Sequence, residues 1–334
     1  MKIGIYTYYD AVNEGAFLQA YCLKNFLQNR YNAEVYFLPI ENPVYHQKLL
    51  APLHTKNPFR KSNFKKRKKA LEAAREDTFN TAKNKTFDMI VFGSDELWNI
   101  NNPVFSDENM GASIKSGDMI SYAVSMGNTS PHDKHWNDLK TYFDKFRKLS
   151  VRDYNSAGII KDVIGKECQI HADPVFLYDI PVEKPSVSYP YLLVYGGFYD
   201  NKIIKDIKMF AAEKKLKIIA VDLYNRWCKT VVSRSPWEFM GYIENADYVV
   251  TNMFHGTMLS VLKKKKFVTV LTDERKNKLT YALERFGCTD RAVGMGEDDF
   301  FEKLKAAAEI MPDSEFIDKV ISEERIKTGQ YFDR

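Results

Sequence analysis

A chain of 334 residues is long enough for two domains of ordinary size, each with its own core. Hydrophobic residues make up 45% and charged residues 28%, a globular balance that excludes an intrinsically disordered chain. The 49 basic against 44 acidic residues leave a formal charge of +5, too mild to imply nucleic-acid binding by itself.

Helical and strand periods alternate almost throughout, the pattern of an α/β protein with mostly parallel sheets. A first strand is predicted over 3–9, followed by a helix over 14–30 that carries Phe17, Ala20, Leu23 and Leu27 on one face. A second strand over 33–39 is stopped by Pro39. Further strands are predicted over 87–93, 118–124, 148–153 and 168–174, with a helix over 134–146. Residues 179–190 read DIPVEKPSVSYP, with three prolines and no period, which is linker composition. The expected organisation is therefore a Rossmann-like domain over 1–178, a linker over 179–190, a second such domain over 191–310, and a C-terminal helix and tail over 311–334. In the second half the same alternation predicts strands over 191–197, 216–222, 247–251 and 267–271. Helices are expected near 201–215, 236–245, 256–264, 276–286, 297–310 and 314–327. Ligands of doubly wound sheets sit outside the carboxyl ends of the strands, so the expected site is a cleft lined by those ends.

The four cysteines, Cys22, Cys168, Cys228 and Cys288, lie far apart with no metal-like spacing and read as reduced, buried thiols. His132 and His135 fall in a loop and at a helix start, so no metal site is expected. The opening MKIGIYTYYD reads as a strand rather than a signal peptide, and no apolar run approaches the ~20 residues that span a bilayer. A cytoplasmic protein is the expectation. One segment breaks the alternation: residues 56–69, KNPFRKSNFKKRKK, contain eight basic residues and no acidic one. Such a run is a solvated surface insertion or a patch for phosphates or an anionic membrane face; thin aromatic interleaving argues against nucleic acid.

Polar residues recur just past the predicted strand ends. Asn13 and Gly15 open the first helix, where an anion could rest and a plain asparagine cap accounts for them nearly as well. Ser94 and Asp95 follow Gly93 after the third strand, Ser125 follows the fourth, and Arg152 ends the fifth. In the second half Gly196 and Gly197 follow the first strand directly, as either a backbone nest for an anion or a packing turn. Arg226 lies past the next strand. Then YVVTNMFHGTMLSV places His255 between a buried strand and a helix that opens at Gly256. A helix N-terminus disfavours an imidazolium, which suits a neutral base at that point.

The segments NEGAFLQAYCLKNFLQ, VFGSDELWN, ISYAVSMGN, LSVRD, HADPVFL and VVTNMFHGTMLSV occur in the order expected of the polysaccharide pyruvyl transferase family, over about residues 1 to 292. The resemblance implies a GT-B-like α/β fold, two Rossmann-type doubly wound parallel-sheet domains facing a cleft. It implies transfer of pyruvate from phosphoenolpyruvate onto a sugar of a surface polysaccharide precursor, such as an exopolysaccharide or capsule unit, to form a ketal. His255 matches the family's proposed catalytic histidine and is expected to act as general acid/base. One branch of the family has an arginine two residues earlier and the other a small hydroxyl residue; this chain has Met253. Arg152, Gly196, Gly197, Arg226 and Gly256 are expected on the donor side, and Asn13, Gly15, Ser94, Asp95 and Ser125 on the acceptor side. Asp173 matches a motif of the family and reads as a turn cap. No cofactor is expected beyond phosphoenolpyruvate as substrate. The acceptor is expected to be lipid-linked, with residues 56–69 meeting the inner membrane face. Two other functions fit the same pattern: a GT-B glycosyltransferase using a nucleotide sugar, and a non-catalytic saccharide-binding relative.

Overall fold

The computed structural model describes residues 1–82, 85–114, 117–133, 135–198, 200–273 and 276–333. Its residues divide into two units: Met1–Ala51, Arg75–Asp179 and Glu323–Arg334 form the first, and Pro52–Ala74 and Ile180–Ser322 the second. Residues 52–74, which the sequence places within the first domain, thus group with the second unit, and the end of the chain returns to the first.

In the first unit the apolar run IGIY becomes β1 (Lys2–Tyr6), buried on both faces as the middle strands of parallel sheets are. Helix α1 (Glu14–Tyr31) follows, capped by Asn13 at its start and ended by Asn32 in the left-handed region at φ 46°. Next come β2 (Glu34–Phe37), α2 (Pro43–Leu50) and α3 (Pro58–Thr78). They are followed by β3 (Met89–Phe92), β4 (Asp118–Ser121), α4 (His135–Leu139), β5 (Phe146–Lys148), β6 (Ser150–Val151), α5 (Tyr154–Ile159) and β7 (Gln169–Ile170). Among the described residues five strands make one parallel sheet in the order β2-β1-β3-β4-β5, with Ile5 opposite Val91 and Val91 opposite Ile120. The sheet changes direction between β1 and β3, the switch point where this order leaves a crevice at the carboxyl ends. Bridges from Asp95 to Val124 and from Val124 to Val151 carry the pairing past the ends of β3 and β4.

The second unit holds β8 (Tyr191–Tyr195), α6 (Asn201–Glu213), β9 (Lys217–Val221), β10 (Lys229–Val231), α7 (Pro236–Glu244) and β11 (Tyr248–Thr251). It continues with α8 (Phe254–Leu262), β12 (Phe267–Leu271), α9 (Lys276–Arg285), β13 (Ala292–Gly294), α10 (Phe300–Glu309) and α11 (Ser314–Phe332). The described strands form a parallel sheet in the order β10-β9-β8-β11-β12-β13. Its switch point lies between β8 and β11, with Tyr195 opposite Thr251 at the carboxyl ends. Leu192, Val194, Phe210, Val250, Val270 and Leu304 pack in its core.

Several elements differ from the sequence expectation. The helix predicted over 134–146, whose first residue lies outside the described residues, is one α-helical turn, then a 3-10 stretch over Lys140–Lys145. Phe146 is drawn out of it to start β5, its ring packing edge-on to Phe92 at 5.2 Å and Trp98 at 5.4 Å. Helix α2 was not foreseen, although Asn42 caps it and Pro43 opens it. The three-residue strands β10 and β13 are too short for a period to show. No helix among the described residues is long and apolar enough to cross a membrane.

Candidate functional site

In the second unit two sequence features fall on adjoining strand ends. The chain leaves β8 at Gly196, whose φ is +151° and whose missing Cβ would stand 2.1 Å from Asn252 Oδ1. Only glycine allows that approach. Three successive carbonyls of the turn are each held by a side chain: Asn225 Nδ2 donates to Gly196 at 2.8 Å, Asn252 Nδ2 to Gly197 at 2.8 Å, and Trp227 Nε1 to Phe198 at 3.2 Å. The turn is therefore fixed from two directions, by the loop after β9 and by the end of β11.

At the end of β11, Thr251 Oγ1 donates to the Tyr195 carbonyl at 2.6 Å and accepts from the Met253 N–H at 3.0 Å. This hydroxyl ties the two strand ends together and turns the chain into α8. Gly256 then sits against the strand: a Cβ there would lie 2.2 Å from Thr251 Oγ1 and 2.8 Å from the Tyr195 ring. The helix start can approach the sheet because that residue has no side chain. Thr257 Oγ1, 2.9 Å from Thr269 Oγ1, anchors the same turn to β12. His255 lies between these anchors at the second position of α8, 7% exposed, its ring edge-on to Phe254 at 5.4 Å. Met253 stands at the N-cap and supplies no side-chain acceptor, whereas Asn13, Asn42, Asp153, Asp200 and Ser235 cap α1, α2, α5, α6 and α7. The positive end of α8 is thus left without a polar side-chain cap beside the imidazole. Arg226 is exposed on the loop between β9 and β10.

In the first unit, Ser94, Asp95, Ser125 and Arg152 come together. Arg152 Nη1 donates to Asp173 Oδ2 at 3.2 Å, and Nη2 lies 3.6 Å from Asp95 Oδ1, with the arginine side chain 3% exposed. Ser94 Oγ donates to the Ala123 carbonyl at 2.8 Å and reaches Asp173 at 3.4 Å. Ser125 Oγ donates to Asp153 Oδ2 at 2.6 Å, and Asp153 Oδ1 accepts from the Ser156 N–H at the start of α5. Burial alone would make the Arg152 guanidinium easier to deprotonate; Asp95, Asp173, Glu96 and Asp153 outweigh it and raise its pKa above the ordinary arginine value. Arg152, expected with the donor-side glycines, therefore stands among residues expected on the acceptor side. Asp173 also caps a 3-10 turn by accepting from the Val175 N–H at 3.2 Å. Asn13 is used as a cap, its Oδ1 accepting from the N–H groups of Gly15 at 2.9 Å and Ala16 at 3.3 Å. Gln19 of α1 links the two switch-point strands, donating to Thr7 Oγ1 at 3.0 Å and accepting from the Ser94 N–H at 3.2 Å. After β1, burial and then Asp10 push the Tyr9 phenol up to about 12, so it stays protonated near neutrality.

Sequence reasoning passed over Asn225, Asn252 and Gln19. Asn252 carries a readable signal, a polar residue wedged between a buried strand and the histidine. Gln19 sits on the apolar face of α1, where a fully buried amide has to be bonded, and the pattern marks it for that reason. Among the described residues no group of three or more His, Cys, Asp or Glu side chains is placed to hold a metal ion.

Solved structures similar to the chain include the UDP-GlcNAc 2-epimerase of Methanocaldococcus jannaschii, at 13% identity and a TM-score of 0.52 over 100% of both chains. The UDP-GlcNAc 2-epimerase of Neisseria meningitidis bound to UDP-GlcNAc matches at 10% identity and a TM-score of 0.50, over 98% of this chain and 100% of that one. Arabidopsis thaliana UGT89C1 complexed with UDP-L-rhamnose matches at 13% and 0.50, over 97% and 93%. At such identities the likeness carries the fold alone, and the fold is GT-B-like. No curated protein sequence matches the chain. The profile of the polysaccharide pyruvyl transferase family matches residues 13–274, from the cap of α1 to just past β12, and the chain belongs to that family.

Proposed function

We propose that the protein transfers pyruvate from phosphoenolpyruvate onto a sugar of a surface polysaccharide precursor, forming a ketal, with His255 as general acid/base. The observation that carries the proposal is the position of this imidazole. It stands at the uncapped start of α8, across a strand pair from the pinned turn at Gly196 and Gly197, at the carboxyl-end switch point of the sheet. The reaction needs a proton on the methylene carbon of the enol, which leaves positive charge on the carbon bearing the phosphate. A sugar hydroxyl adds to that carbon and loses its proton, phosphate departs, and a second hydroxyl closes the ketal. One group that gives a proton and takes one serves both steps, and an imidazole is chemically able to do both. The helix start favours the departing phosphate and the donor carboxylate through its backbone dipole.

Within this proposal Gly196, Gly197 and Gly256 let backbone approach the donor, and exposed Arg226 is available to its anionic groups. Arg152, held by two carboxylates, positions Asp95 and Asp173 instead of gripping the donor. The acceptor is proposed to be a saccharide carried on a lipid diphosphate.

The test is a donor panel with lipid-linked sugars. Phosphoenolpyruvate is expected to raise the acceptor mass by a pyruvate less one water, with one phosphate released per product. A mass rise by a sugar from a UDP-sugar, with none from phosphoenolpyruvate, would make the protein a glycosyltransferase. Failure to bind phosphoenolpyruvate by calorimetry would leave a saccharide-binding relative. His255→Gln is expected to lower kcat by about a hundred- to ten-thousand-fold while the folded protein still binds donor.

A further inference from the structure

The basic run over 56–69 is the start of α3, and its side chains sort by face. Phe64, Arg67 and Leu71 are buried at 8, 7 and 2% exposure, which makes one side of the helix inward. Lys68 pairs with Glu72 one turn on and is half-buried. Phe59, Ser62, Lys66 and Lys69, spaced i, i+3, i+7 and i+10, are all exposed, so they share the outward side. Lys61 and Lys65 flank them and are exposed too, as are Lys56 and Arg60 at the entry. Phe59 is 70% exposed, the highest value recorded among the large hydrophobic residues of the described chain.

We infer that this face of α3 is a docking surface for an anionic lipid bilayer, lysine ammonium groups meeting the headgroups and the Phe59 ring entering the interface. Six exposed cations on one short segment fall in the range that attracts an anionic leaflet. Charge alone would suit any polyanion. The aromatic favours the bilayer: a phenyl ring so exposed gains nothing from water and gains burial at the boundary between headgroups and acyl chains. A nucleic-acid surface would interleave several rings for base stacking, and this face presents one. The inference needs neither the donor nor the chemistry at His255, so it stands or falls separately from pyruvyl transfer.

The experiment is co-sedimentation of the full chain with large unilamellar vesicles, without donor or acceptor. Vesicles of phosphatidylcholine with a third phosphatidylglycerol are expected to carry the protein down at 0.1 M salt, and pure phosphatidylcholine is not. Binding should fade at 1 M salt, where the Debye length falls from about 10 Å to about 3 Å. Each exposed lysine contributes about fivefold in binding (about 1 kcal/mol), so K61Q/K65Q/K66Q/K69Q together are expected to weaken it at least about 100-fold. Phe59→Ser should weaken it by about tenfold and leave the salt dependence in place. Circular dichroism checks that both variants fold. Equal binding to neutral and anionic vesicles, or none to either, overturns the inference. So does binding to heparin or duplex DNA in a protein that ignores vesicles, which would make this face a site for soluble polyanions.

Discussion

Arg152 illustrates what one side chain can reveal and what it conceals. The motif LSVRD places it at a strand end, and from sequence it is a reasonable phosphate ligand. Its actual neighbours, Asp95 and Asp173, come from other parts of the chain and neutralise it in a buried setting. No local pattern discloses which carboxylates will fold onto an arginine. The consequence is measurable: Arg152→Met strands Asp173, itself 2% exposed, and is expected to destabilise the protein by about 3–5 kcal/mol in urea unfolding. R152M/D173N, which removes both charges, should recover a good part of that loss; no recovery would show the pair is not coupled. Gly256 is the opposite case, because its reason is wholly local. A Cβ 2.2 Å from Thr251 Oγ1 forces α8 away from β11, so Gly256→Ala is expected to cost about 1–3 kcal/mol and to move the imidazole next to it. The place of His255 was legible because the apolar strand before it and the apolar helix after it fix a strand-to-helix turn at that residue. Asn225 was not, since an asparagine in a turn after a strand has many.

At the scale of elements, long periodic segments were legible and short ones were not. Helices α1, α6 and α7 begin at the residues expected, because caps and an apolar face mark them together. Helix α3 continues to Thr78, past the basic run, because Ala70, Leu71, Glu72, Ala73, Ala74, Arg75 and Glu76 all favour a helix. Its charge sorting also selects the exposed lysines with which to test the proposed lipid-linked acceptor. Neutralising exposed Lys65, Lys66 and Lys69 should lower use of a lipid-linked acceptor more than of a soluble one, and equal loss on both would count against the membrane contact. Helix α11 runs further than expected, and Thr328, Tyr331 and Phe332 extend its buried side. These last turns belong to the first unit: Tyr331 Oη donates to the Ser121 carbonyl at 2.8 Å, and the Phe332 ring lies 5.3 Å from Tyr122. A C-terminal tail is ordinarily loose, so their burial is informative. Phe332→Ala is expected to cost about 3–5 kcal/mol, read from the urea midpoint, as in a core and unlike a tail.

At the scale of the whole chain, alternation announced two parallel α/β sheets but not the order of their strands. Right-handed crossovers allow several orders, and pairing partners are set by packing that one sequence does not display. The two orders found each place a switch point next to residues singled out beforehand: Ser94 in the first unit, and Gly196 with His255 in the second. The cysteines give a measurement that reads each unit separately. Cys22 and Cys168 lie in the first unit, Cys228 and Cys288 in the second. Burial raises the Cys168, Cys228 and Cys288 thiols from 9.0 to about 11, and raises Cys22 as well. Raised thiol values leave less thiolate at any pH below them, so the sign is toward slower alkylation. At pH 8 the thiolate population falls about a hundredfold, while greater intrinsic nucleophilicity returns about tenfold. Native thiols are therefore expected to react with iodoacetamide at least about tenfold slower than the same thiols in urea. Mapping the labelled peptides along a urea series then gives an opening curve for each unit, with fully buried Cys22 and Cys288 as the paired reporters. If Cys22 and Cys288 were labelled in the native protein at the rate of the denatured chain, the cores that hold the two switch points would not be closed as described.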